Sequence, residues 1–145
     1  MPIWEIPYRN PAPASERDFM KKTVLLSIKK KWWDKIKSGE KTYEIRKTKP
    51  TNIDYPFRVI CYVTGGTGIV GEFYCDGTLK TNLYMPLLKK SCLSSQEMND
   101  YAKGGNIVGW HVKEGTVSSY GTPIPLHFFD IKRPPQSWKY FDLTK

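Results

Sequence analysis

Long apolar runs, metal-ligand clusters and paired cysteines are all missing from this chain of 145 residues. No stretch approaches the ~20 apolar residues that a membrane-crossing helix needs, and the mean hydropathy of -0.52 points the same way. The expectation is a chain without a membrane span. The start, MPIWEIPYRNPAPASERDF, has neither a basic beginning nor an apolar run of signal-peptide type, which leads to the expectation of a cytoplasmic protein. Cys61, Cys75 and Cys92 are odd in number and widely spaced, and none belongs to a CxxC, so reduced, buried thiols are expected. His111 and His127 stand alone in their stretches and cannot by themselves form a typical zinc site. No metal and no cofactor is expected. The glycine-rich TGGTG at residues 64–68 lacks the lysine ending of a phosphate-binding loop and precedes a strand rather than a helix, which excludes nucleotide triphosphate binding of that kind. Internal repeats and low-complexity blocks are missing too.

What is present is positive charge, and it is concentrated. Residues 21–49 hold eleven Lys/Arg against three acids, an excess of eight within a formal net charge of +9. The protein therefore has one basic region, not a generally basic surface, and such asymmetry marks a partner-facing surface. The length suits a single domain. Pro2, Pro7, Pro11 and Pro13 separate residues 1–20 as a proline-rich arm from a domain at 21–145. Trp4, Ile6 and Tyr8 alternate in that arm, which either docks on the domain as an edge segment or hangs free, and which is a candidate contact for another protein.

The periodicity predicts strands over Thr23–Ile28, Thr42–Lys47, Phe57–Val63, Ile69–Cys75, Ile107–Lys113 and Leu126–Ile131. A helix between the first two carries Trp32, Trp33 and Ile36 and ends at Gly39, where positive φ is needed. A second, Ser95–Lys103, opens with Ser94 and Glu97 at capping-box spacing. Frequent strands with little helix argue against a parallel wound sheet. The expected class is α+β, mainly β: a small barrel of about six strands with two short helices on its rim.

The run LLSIKKKWWDKIKSGEKTYEIRK resembles the signature of the ASCH domain, a member of the PUA-like superfamily. The elements are Ser27-Ile28-Lys29, Gly39-Glu40-Lys41-Thr42, then Glu44 and Arg46; VGEF (Val70 to Phe73) and PPQSW (Pro134 to Trp138) add to the likeness, which runs from about Leu25 to Phe141. It implies a PUA-like barrel with a cleft beside the signature helix, in a superfamily that commonly binds RNA or modified nucleobases and nucleosides. Some ASCH proteins remove the acetyl group of N4-acetylcytidine, and others have nuclease or nucleic-acid-binding roles. In the amidohydrolase branch a threonine stands three residues after the lysine; here Glu44 holds that place and Thr42 follows Lys41 directly.

Two chemistries follow. For binding RNA, single-stranded nucleic acid or a nucleoside, Lys29, Lys30, Lys31, Lys41, Arg46 and Lys47 are the candidates for phosphate contacts, with Thr42 beside them. Tyr43, Trp110 and Trp138 are candidates for stacking. For metal-independent hydrolysis, as an amidohydrolase or ribonuclease, a desolvated Lys41 would act as base, with Glu44 or Glu72 carrying the proton. The bland alternatives are a solvated lysine face and a Glu44–Arg46 pair made along one strand.

Overall fold

The computed structural model describes residues 23–141. The arm at 1–20 and the protein partner expected of it lie outside the described residues. Seven strands form one sheet: β1 (Thr23–Ile28), β2 (Tyr43–Arg46), β3 (Phe57–Val63), β4 (Gly68–Thr81), β5 (Ile107–Val112), β6 (Ser118–Ile124) and β7 (Trp138–Phe141). Three helices accompany them, α1 (Lys30–Ser38), α2 (Met85–Ser91) and α3 (Ser95–Ala102). The strand order is β2-β5-β4-β3-β1-β7, with β6 added to β4. β1 runs parallel to β3 and every other pairing is antiparallel. The fold is mixed α+β, mainly β.

β4 is the strand that bends the sheet. Over its 14 residues it pairs first with β3 and then with β5, and a register shift between Cys75 and Gly77 marks the change of partner. Such a bulge sharpens the local twist. Val24, Leu26 and Ile28 of β1 join Val59, Phe73 and Trp110 in the main core, while Leu25 faces a second cluster with Ile60, Ile69 and Phe141. That split is the two-residue alternation of a strand covered on both sides. α1 contributes Trp33 and Ile36 to the main core and ends on Gly39 at φ 85. At the other end, α2 and α3 cover β2 and β5 through Leu87, Met98 and Ala102.

The sheet does not close into the expected barrel. Its terminal strands β2 and β7 are not neighbours in the strand order, and side chains bridge the gap instead. Arg46 of β2 donates to the Ser27 carbonyl at 2.8 Å and to Ser137 Oγ at 3.1 Å. Trp110 and Trp138 each donate an indole N–H to Thr48, at 3.1 and 2.9 Å. The segment before β7 is tied to β1 by the Ser137 carbonyl, which accepts from the Ser27 amide at 2.9 Å, and by Ser27 Oγ, which donates to the Pro135 carbonyl at 2.6 Å. The PPQSW run thus serves as a clasp over an open seam.

Four elements differ from expectation. Residues Leu126–Phe129 form a 3-10 turn, not a strand, because Asp130 takes a left-handed φ of 57 and ends it. α2 occupies what reads as a loop around Pro86; proline is tolerated there because it sits in the first turn. β6 arises in a serine-, glycine- and proline-containing stretch without an alternating apolar pattern, and β7 is only four residues long, just after the Pro134-Pro135 break.

Candidate functional site

A cleft of about 560 Å³ opens at the seam, within the range typical of small-molecule sites. Its walls come from four places. Lys29, Lys31 and Trp32 belong to the start of α1; Glu44, Ile45 and Arg46 to β2; Leu93, Glu97, Asp100 and Tyr101 to α3 and the residue run before it; Ser27, Thr64 and Gln136 close the seam side. Trp32 and Trp33 are adjacent on a helix, hence about 100° apart around it, so only one can enter the core. Trp33 does, and Trp32 is left half-buried in the cleft wall.

Behind the wall lies a buried charged triad. Glu44 is 3% exposed and Lys41 only 1%. Glu44 Oε2 accepts from Arg46 at 2.5 and 2.9 Å, and its Oε1 lies 3.3 Å from Lys41 Nζ. Lys41 donates in addition to the Ser91 carbonyl at 2.6 Å and lies 4.9 Å from the centre of the Trp32 ring. Burial is the largest influence on both ionisable partners. It lowers the Lys41 pKa below its ordinary value, with Glu44 opposing. In Glu44 burial pushes the pKa up, but Arg46 and then Lys41 outweigh it and the net direction is down. The result is a carboxylate at the cleft floor whose ionised form is favoured, held by Arg46 and by a lysine whose charged form burial disfavours.

The rim is cationic and partly neutralised. Lys31 Nζ sits 4.3 Å from the Trp32 ring centre and pairs with Glu97 across the cleft at 3.0 Å. Lys29 lines the cleft at the start of α1, whose first turn has no acidic residue and no side-chain cap. Lys47 lies 5.1 Å from the ring centre of Tyr101.

Of the residues singled out from the sequence, the structure brings Lys29, Lys31, Glu44 and Arg46 to one cleft. It corrects others. Trp110 is 0% exposed and packs edge-on against Phe57 and Trp138, so it offers no stacking face. Lys41 is too deeply buried to neutralise a phosphate. Glu72 is not among the cleft residues; Arg58 grips it at 2.6 and 3.0 Å and the Tyr120 hydroxyl donates to it at 2.7 Å. Lys30 is exposed and paired with Asp34 at 2.7 Å, away from the cleft lining. Thr42 sits at the α2 end of β2, where its amide donates to the Lys90 carbonyl at 2.8 Å. Tyr43 packs against His111 with ring centres 4.9 Å apart, and Trp138 belongs to the clasp. The residues sequence reasoning missed are Trp32 as a wall, Tyr101, Glu97, Asp100 and Gln136. Glu97 had a signal only as a helix cap, a role it keeps: its Oε1 accepts from the Ser94 amide while its Oε2 faces Lys31.

Among the described residues no helix is long and apolar enough to cross a membrane. No family model and no curated protein matches the sequence. Solved structures do match in fold. The crystal structure of ASCH from Zymomonas mobilis superposes with a TM-score of 0.72 at 21% identity, covering 85% of this chain and 90% of that one. A serine-to-alanine mutant of the Zymomonas mobilis protein gives 0.70 at 20% identity, with 85% and 90% covered. A tyrosine-to-phenylalanine mutant gives 0.70 at 20%, with 84% and 91% covered.

Proposed function

We propose that this chain, which has the ASCH-type fold, binds a single nucleobase or nucleoside, free or as part of RNA, in the cleft beside α1. One observation carries the reading: an ionised acceptor, Glu44, at the floor of a 560 Å³ cleft whose walls include Trp32 and Tyr101. A nucleobase combines a flat apolar face with exocyclic N–H donors on its edge, and these two features need an aromatic wall and a buried acceptor. Lys29 and Lys31 at the rim suit a phosphate or ribose outside the cleft. The three thiols are free, which fits a reducing compartment such as the cytoplasm.

Titration of the purified chain with nucleosides and nucleoside monophosphates, followed by tryptophan fluorescence, tests this. Binding that quenches the signal and is lost in Glu44→Gln and Trp32→Ala is expected. A flat titration for every natural and N4-acetylated nucleoside overturns it.

The 3.3 Å Lys41–Glu44 contact supports a second reading, hydrolysis in the same cleft. Glu44 would there take the proton of an attacking water, and Lys41, not itself in the wall, would set the basicity of Glu44. Conversion of N4-acetylcytidine to cytidine, or cleavage of single-stranded RNA, is the expected activity. Its loss in Lys41→Met with the fold intact would assign Lys41 as a positioning residue, and the absence of both reactions removes the hydrolytic reading.

A further inference from the structure

A second cavity of about 570 Å³ reaches the same turn as the cleft. Thr64 of the β3–β4 turn lines the first, and Gly66 and Gly68 of the same turn line the second. Two Cα steps separate Thr64 from Gly66, so these rims stand no more than ~7.6 Å apart. Gly65 and Gly66 take φ of 89 and 87, and a Cβ on either would meet nothing within 4 Å. At Gly65 and Gly66 the turn is therefore bare backbone with open space beside it, where another chain can approach closely.

The far cavity is lined by Leu126, His127, Asp130 and Lys132 among others. His127 and the next residue, Phe128, stack with ring centres 4.9 Å apart and planes 23° from parallel. Phe128 is 70% exposed. Its neighbour Phe129 has a packing role against Phe141, with ring centres 5.4 Å apart. Among the described residues Phe128 makes no ring contact of that kind toward the core, and its ring partner is His127. A phenylalanine held flat against a second ring, largely exposed and next to a cavity with one lysine in its wall, is an arrangement with which single-stranded nucleic acid binders can stack a base while a cation takes the phosphate.

We propose that a single RNA strand crossing the 64–68 turn places the nucleotide adjacent to the one in the first cleft at the second cavity, with its phosphate at Lys132 and its base outside the cavity on the exposed Phe128 ring, which His127 of the cavity wall backs. Asp130 would accept from the base edge. This rests on the nucleobase reading of the first cleft and extends it from a lone nucleoside to a strand.

Calorimetric titration of the full chain with cytidine and uridine monophosphates and with a mixed-sequence ribohexamer tests it. The hexamer should bind at least about tenfold tighter than the monophosphates, and Phe128→Ala and Lys132→Gln should each cost the hexamer about tenfold while leaving monophosphate binding unchanged. Phe128→Trp should restore the hexamer affinity. Phe128 is exposed, so its replacement leaves the fold intact, and a melting curve checks this. Monophosphate binding with no gain for the hexamer, or a hexamer indifferent to Phe128→Ala, overturns the second site and leaves the first standing. Binding of neither probe overturns both.

Discussion

A lysine ammonium with a carboxylate at 3.3 Å and a carbonyl at 2.6 Å is buried only because those two groups compensate its lost hydration. Lys41→Met keeps the volume but strips the Ser91 carbonyl of its donor and leaves Glu44 with Arg46 alone. Because Arg46 still neutralises Glu44, the cost belongs at the low end of broken buried pairs, about 3 kcal/mol, and urea denaturation measures it. Glu44 supplies a pH signature. Its pKa in the folded chain lies below the ordinary 4.5, so between those two values the unfolded chain binds the proton and the folded chain does not. Stability from this group is full above 4.5 and is lost as pH falls through the folded pKa. Glu44→Gln should therefore show a shallower acid limb in stability against pH than the parent, whatever its stability at neutral pH. An unchanged slope would mean that Glu44 is not the ionised group described. Lys41 acts in the opposite range: its pKa is lowered from 10.5 by burial, so its contribution improves as pH rises through the folded value.

At the level of elements, Gly71 explains why the VGEF run has a glycine. A Cβ there would stand 2.3 Å from the Ser118 carbonyl oxygen of β6 and 2.6 Å from Trp33 Cζ2 of α1, so β4 accommodates both neighbours only without a side chain. Gly71→Ala should cost about 3 kcal/mol, since backbone and a core tryptophan must yield together, and a urea midpoint reads it. Ser94→Ala removes one half of the capping box of α3 and should cost about 1 kcal/mol in a thermal melt. These elements were not equally legible in the sequence. β1, α1, β3, α3 and β5 were, because each writes its burial as a period or a cap. β6 was not, for it lies on β4 with Ser118, Ser119 and Gly121 exposed, and an edge strand without a buried row leaves no alternation to read. The run Leu126–Ile131 misleads in the opposite sense: its apolar side chains are spread between a secondary cluster and solvent, not aligned on one face. The cleft divides along the same line. Its α1 and β2 walls sit in one continuous signature, whereas Tyr101, Asp100 and Gln136 arrive only through tertiary packing, for which no local pattern exists.

For the whole molecule, the charge asymmetry that dominates the sequence is less than it looks once folded. Lys30 and Lys37 share Asp34, Lys35 meets Glu40, Lys31 meets Glu97, and Lys41 and Arg46 share Glu44. Six of the eleven cations of residues 21–49 thus have an acid beside them, from α1, from the turn and strand after it, or from α3. Exposed pairs of this kind contribute little stability and exchange partners readily. Among the described residues around the cleft, Lys29, Lys47 and Lys31, whose pair with Glu97 is exposed, are the cations a phosphate chain can reach. Each phosphate neutralised on a single strand contributes about −0.7 to the slope of log affinity against log salt. Three contacts give a slope of about −2 and the further one at Lys132 brings a hexamer to about −3, whereas phosphate contacts by most of the basic region would make it several units steeper. A ribohexamer titrated between low and physiological salt should follow the shallow line. Lys29→Gln should flatten that line by somewhat under one unit, and Lys35→Gln, which breaks only the exposed pair with Glu40, should leave it unchanged. A steep slope, or equal effects from Lys29 and Lys35, would move the nucleic-acid surface off the cleft and onto the outer face of α1.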